Sequence, residues 1–188
     1  MPNYTIITDS GCDLPNDLLE KLDVKKVSLS VLFQDQTRPD SVDEGIKEFY
    51  DGLRAGDIAT TSAVNPEGWK GVIEPAFEAS QDALVLAFSS GLSTTYQSAV
   101  IAAEELMEQY PDRKAYVVDT LCASLGEGFD NETMFISHGD CLEDAEYLAD
   151  ILKERCGVKH VHINHVGAVI GSHAGPGVLA LFFLGKHR

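Results

Sequence analysis

Apolar residues come in short runs over the first two thirds of the chain, and polar residues close each run. Tyr4 to Thr8 (YTIIT) is a β-rich run ending at Asp9-Ser10-Gly11, the pattern of a buried parallel strand that delivers polar groups to its carboxyl end. Asp13-Leu14-Pro15 opens a short helix through Leu22, with proline suited to the first turn. Val24 to Phe33 alternates in its middle and reads as one second strand, and the polar stretch Gln34 to Ser41 reads as a loop. In SVDEGIKEFYDGLRAG, Val42, Ile46, Phe49 and Leu53 recur at helical spacing until Gly56 stops them. Thr60-Thr61-Ser62 reads as a loop, and Asn65-Pro66 as a cap with proline just inside the next helix. A third strand is predicted over Ala83 to Phe88, a helix over Ser93 to Gln109, and a fourth strand over Ala115 to Val118, ending at Asp119.

Strand and helix alternate throughout, which predicts an α/β fold: an open parallel sheet with helices on both faces. Leu121 to Asn131 (LCASLGEGFDN) has little periodicity and reads as a connection. Beyond it, TMFISHGD reads as a strand, Leu142 to Arg155 as a helix with Ala145, Leu148, Ala149 and Leu152 on its apolar side, and VKHVHINHVG as another strand. The tail GPGVLALFFLG reads as a buried helix. The predicted organisation is an N-terminal α/β domain over 1–125, a short connection at 126–131, and a shortened second α/β unit over 132–188.

At 188 residues, with 44% hydrophobic and 23% charged, the chain suits a globular domain with a real core. No apolar run approaches the roughly 18 to 20 residues of a membrane span. A net charge of −16 repels nucleic acid and anionic membrane surfaces, so neither is an expected partner, and an anionic ligand has to be caught locally. Cys12, Cys122, Cys141 and Cys156 form no CxxC pair, and the N-terminus lacks the pattern of a secretory signal, which points to reduced thiols in the cytoplasm.

In such sheets ligands bind beyond the carboxyl ends of the strands, here Asp9-Ser10, Ser89-Ser90 and Asp119-Thr120. The stretch Phe88 to Tyr96 (FSSGLSTTY) puts five hydroxyl residues into seven positions around Gly91. One cap satisfies a helix start. Ser93 serves for that, whereas Ser89, Ser90 and the Thr61-Ser62 pair arriving at the same rim suggest a site for a carboxylate or phosphate at a helix N-terminus. His173, in IGSHAGPG, precedes a glycine-rich turn and is a natural anion partner. An alternative uses the same residues as a small serine hydrolase or acyl-transfer enzyme, with Ser93 as nucleophile, His173 as base and Asp119 as orienting acid. The G-x-S-x-G elbow is absent, because SSGLS centres on glycine. His160, His162 and His165 have H-x-H spacing, but no further ligand set completes a metal site, so none is expected. Nucleotide-binding glycine fingerprints are also absent.

Taken together, TDSGCDLP (8–15), TTSAVNP (60–66), FSSGLSTTYQSA (88–99), VVDTLCASLGEG (117–128), ISHGDCLEDAEYLADILK (136–153) and VIGSHAGPGVLALFF (169–183) resemble the DegV family of bacterial fatty-acid-binding proteins. The resemblance implies two α/β domains with a long acyl chain buried between them and in the apolar interior. It implies a carboxylate held by Thr61, Ser93 and His173, with Ser62 nearby and Ser10, Ser89, Ser90, Gly91 and Asp119 supporting the pocket. The implied role is a binding protein without catalytic residues or cofactor beyond the lipid; in some members it presents the lipid to a separate fatty acid kinase. Family chains normally carry a substantial further segment between SLGEG and the ISH strand, which this sequence lacks. That gap points to impaired binding, and to exposed apolar surface at Phe182, Phe183 and Leu184 that invites self-association.

Overall fold

A computed structural model of the chain describes residues 4–120 and 132–183. The elements run β1 (Tyr4–Asp9), α1 (Asn16–Lys21), β2 (Val24–Val27), β3 (Ser30–Phe33), β4 (Gln36–Pro39), α2 (Ile46–Ala55), β5 (Ala59–Ser62) and α3 (Pro66–Glu78). They continue with β6 (Asp82–Ala87), α4 (Thr95–Gln109), β7 (Ala115–Asp119), β8 (Thr133–His138), α5 (Leu142–Cys156), β9 (His160–His165), α6 (Ala168–Ala174) and β10 (Leu179–Phe182).

The main sheet is parallel, in the order β2-β1-β6-β7, and helices flank it. This is the α/β architecture that the alternating pattern predicts. The helix boundaries follow local chemistry. Asn65 Oδ1 accepts the Gly68 amide proton at 2.8 Å and Pro66 opens α3, while Gly56 (φ 99°) closes α2 in the left-handed conformation open to glycine. Ile7 and Val85 from the sheet pack with Trp69, Ile73 and Phe77 of α3 and Leu106 of α4, all buried. Each such side chain contributes roughly 1.5 to 3 kcal/mol of transfer free energy. Ala168 and Val169 of α6 belong to this same cluster, although they lie late in the chain. A smaller cluster joins Ile136 of β8 to Ala145, Ala149 and Leu152 of α5.

Four sequence expectations are corrected. Val24 to Phe33 is two strands in different sheets. The chain leaves the main sheet at Ser28-Leu29, where the Leu29 amide donates to Ser10 Oγ (3.1 Å) and its carbonyl accepts from the Asp40 amide (2.8 Å). The predicted loop at 34–41 contains β4, reached by a two-residue turn with φ positive at both Gln34 (50°) and Asp35 (59°). That is the hairpin geometry matching strand twist, and Gln-Asp disguises it because the usual signal is Asn-Gly. Thr60-Thr61-Ser62 is not a loop either; it lies in β5, an edge strand antiparallel to β3, with the sheet order β4-β3-β5. The predicted buried tail helix is β10, which pairs antiparallel with β8, whereas the helix, α6, comes before the Gly-Pro-Gly turn. Gly175 (φ 80°) and Gly177 (φ 84°) reverse the chain there.

The β8–β9 pair is parallel and α5 packs on it. Phe182 and Phe183 are 47% and 36% exposed. The expected connection at 121–131, Cys122 and Leu184 lie outside the described residues. Among the described residues no helix is long and apolar enough to cross a membrane.

Candidate functional site

The hydroxyl-rich turn after β6 is tied together locally. The amides of Leu92 and Ser93 donate to the Ser89 carbonyl at 3.0 and 3.1 Å, and the Gly91 amide donates to Ser89 Oγ at 3.2 Å. Asp119, at the end of β7, accepts from both the Ser90 amide (3.1 Å) and Ser90 Oγ. Ser93 Oγ accepts from the Thr95 amide at 3.2 Å and lies 2.8 Å from Thr95 Oγ1, so this hydroxyl secures the first turn of α4. Ser89 is buried, Ser90, Ser93 and Asp119 are half-buried, and Gly91 is exposed.

Ser10 is buried and wholly engaged: its Oγ donates to Asp40 Oδ2 at 2.9 Å and accepts from the Leu29 amide. It links Asp40 to the segment that leads into β3.

The other candidate residues come from β5 and α6, which pack together. Thr61 Oγ1 and His173 Nε2 stand 3.0 Å apart across 112 residues of sequence. His173 is exposed on the last turn of α6, Thr61 is half-buried and Ser62 is exposed. At the first turn of α6 the Gly167 amide donates to Asp13 Oδ1 (2.9 Å) and the Val169 amide to Asp40 Oδ1 (3.1 Å). Tyr50 Oη donates to the Val166 carbonyl at 2.9 Å. Gly171 is packed so closely that a Cβ there would stand 2.4 Å from Tyr50 Oη.

Burial dominates the electrostatics beneath α6. It pushes the Asp9 carboxyl up to about 6, against the amide donors Phe88 and Gly11, and the Asp13 carboxyl up to about 7, against Gly167. Asp40 is raised for the same reason, with the amides of Val169 and Ala168 and the Ser10 hydroxyl opposing. Burial also raises the Tyr50 phenol. On β8 and β9, His138 and His165 face each other at 4.4 Å between ring centroids, and burial lowers both. His160 and His162 are exposed, and His162 stacks on Phe135. Among the described residues no group of three or more His, Cys, Asp or Glu side chains is placed to hold a metal ion.

The structure thus joins Thr61 to His173, Ser90 to Asp119, and Ser93 to Thr95. It does not assemble the hydrolase alternative: among the described residues Ser93 makes no hydrogen bond to His173, whose Nε2 meets Thr61. A groove of about 660 Å³ between α1, β2 and α3 is lined by Leu19, Val24, Val72 and Pro75 and shares no residue with the rim. Sequence reasoning missed Asp13, Asp40, Tyr50, Gly167 and Gly171. No local signal marks Asp13 and Asp40, whose amide partners lie 154 and 129 residues away in sequence.

A model of the DegV family, described as uncharacterised proteins, matches residues 3–130 and 126–186. A DegV domain-containing protein of Clostridium perfringens is 28% identical over 289 aligned residues, taking in 100% of this chain and 99% of that protein. Because this chain has 188 residues, part of that relative has no counterpart here. A fatty acid-binding protein of Thermotoga maritima is 40% identical over 123 residues, which is 63% of this chain and 41% of the relative. Among solved structures, a DegV family protein of Thermus thermophilus described for its fatty acid binding aligns at TM-score 0.77 and 21% identity, over 96% of this chain and 99% of the other. The Fatty Acid Kinase B3 protein of Streptococcus pneumoniae, loaded with linoleic acid, aligns at TM-score 0.73 and 14% identity, over 97% and 99%. These two likenesses are of fold. With both stretches of the family model together spanning nearly its whole length, the chain belongs to the DegV family.

Proposed function

We propose that this chain binds a long-chain fatty acid and holds its carboxylate at the rim formed by Thr61, Ser93 and His173, with Ser62 beside them. Ser89, Ser90, Gly91 and Asp119 shape the turn that carries Ser93, and Ser10 supports the pocket from the end of β1 through Asp40. The observation that carries the reading is the 3.0 Å approach of Thr61 to His173, in a chain whose relative in Thermotoga maritima is named a fatty acid-binding protein. Hydroxyls and an imidazole suit an anion that must be caught against a net charge of −16. The role is binding rather than catalysis, in the cytoplasm, with the lipid as ligand and no further cofactor. The N-terminal domain over 1–125 supplies most of the rim, and the unit over 132–188 supplies His173. A fatty acid kinase subunit is the proposed recipient, on the likeness in fold to the Streptococcus pneumoniae protein.

Native mass spectrometry of the purified protein, followed by extraction and identification of bound small molecules, tests the reading. A co-purified or added palmitate retained by the wild type and lost from a folded Thr61→Ala/Ser93→Ala variant supports it. Protein that neither carries nor takes up palmitate overturns it.

A further inference from the structure

We propose that Asp13 and Asp40 are positioning residues for His173: by accepting the amide protons at the start of α6 they set where its last turn, and so the imidazole, stands relative to Thr61. This inference rests on the carboxylate-binding reading above and deepens it.

A seven-residue helix cannot hold itself in place, because so short a segment is far below the length at which helix formation sustains itself in water. Something else must fix α6. Asp13 Oδ1 takes the Gly167 amide and Asp40 Oδ1 takes the Val169 amide, both with buried carboxylates. The Asp40 side chain and the Asp13 backbone are themselves anchored. Ser10 Oγ holds Asp40 Oδ2, and the Asp13 carbonyl accepts from Asn164 Nδ2 at 2.6 Å. His173 lies four residues beyond Val169, about 6 Å along the helix axis at 1.5 Å per residue. A shift of the first turn therefore passes to the ring with little loss.

The groups facing this pair are Asp9 from β1, Cys12 from the turn after it, Lys26 from β2 and Tyr50 from α2. Burial favours the protonated carboxyls, so the role asks for an acceptor oxygen rather than a charge. Asparagine supplies that oxygen and alanine does not, which separates positioning from mere presence of a side chain.

The test uses the full chain, palmitate as probe, and the ring resonances of His173 in heteronuclear NMR spectra. Asp40→Ala and Asp13→Ala are each expected to weaken palmitate binding about tenfold or more and to move the His173 signals. Asp40→Asn and Asp13→Asn are expected to restore affinity to within about threefold and to return those signals toward the wild type. Alanine variants that fold and leave His173 and affinity unchanged overturn the proposal, as do asparagine variants no better than alanine. Should the alanine variants fail to fold, Gly167→Ala decides. Its backbone (φ −61°) accepts alanine, and its Cβ would stand 3.0 Å from both carboxylates. The His173 signals must then move, and their constancy overturns the role. Wild type that takes up no palmitate sinks the lipid reading alone, because the His173 resonances still answer the positioning question.

Discussion

The turn from Ser89 to Ser93 and the helix from Ala168 to Ala174, the two sides of the proposed rim, are held in place by opposite means. In the turn, hydrogen bonds mostly join residues two to four apart, and the longest reach is 29 residues, from Ser90 to Asp119. In the helix, position depends on partners 154, 129 and 116 residues away: Asp13, Asp40 and Tyr50. A local arrangement survives damage elsewhere in the molecule, whereas a docked one moves when any of several remote contacts changes. The two sides of the rim should therefore fail differently.

The largest effect is expected at Gly171. An alanine methyl would stand 2.4 Å from Tyr50 Oη and 2.9 Å from the ring carbon bearing it, so one of the two elements has to move. Overpacking of this kind costs about 1 to 3 kcal/mol, and the upper end is expected because both partners are buried. Urea unfolding of Gly171→Ala checks the figure. Tyr50→Phe added to it should recover part of the loss, and its failure to do so would mean that the tyrosine hydroxyl is not the obstacle.

Next comes pH. Asp9 and Asp13, raised to about 6 and about 7 from 3.8, bind protons more tightly in the folded than in the unfolded chain. The stability they contribute is present in full below about pH 4 and is lost as pH rises through 6 and 7. His138 and His165 act in the opposite sense. They are lowered by burial, so their contribution is present above the unfolded value of 6.5 and fades as pH falls. The informative quantity is therefore the difference between Asp13→Asn and wild type. The variant should gain on the wild type by roughly 3 kcal/mol between pH 4 and pH 7 and level off above it. A difference that stays flat with pH would show that Asp13 titrates as an ordinary carboxyl.

The same contrast explains what could be read from the sequence. The parallel sheet was legible because short apolar runs followed by helical spacing leave few other architectures, and β1, β6 and β7 lie close to where YTIIT, ALVLAF and AYVV place them. The turn after β6 was legible in kind, since its polar groups are neighbours in sequence. Thr60 to Ser62 reads as a loop in the sequence because a four-residue edge strand carries too few residues to show alternation. Leu179 to Phe182 reads as helix in the sequence because a continuous apolar run suits either structure, and only pairing with β8 decides it. Thr61 and His173 were individually singled out, while the carboxylates that dock α6 were not. Their partners are amides more than a hundred residues away, and no local pattern announces them.

At the turn, a smaller and more confined effect is expected. Ser93→Ala removes the acceptor of the Thr95 amide, which costs about 1 kcal/mol, typical of a lost helix cap. Palmitate binding should weaken about tenfold, while the His173 resonances stay where they are. Movement of His173 in this variant would contradict the separation between the local and the docked side.

The smallest effect is expected one residue from Thr61. Side chains alternate across a strand, so Ser62 points to the opposite face of β5 from the residue that meets His173. Ser62 is exposed and, among the described residues, its side chain makes no hydrogen bond. Ser62→Ala should change stability by less than about 0.5 kcal/mol, as substitutions at such surface positions usually do. It should also leave palmitate affinity within about twofold of wild type, against about tenfold for Thr61→Ala. A loss at Ser62 equal to that at Thr61 would place the carboxylate at the end of β5, within reach of both faces, rather than on the face that Thr61 shares with His173.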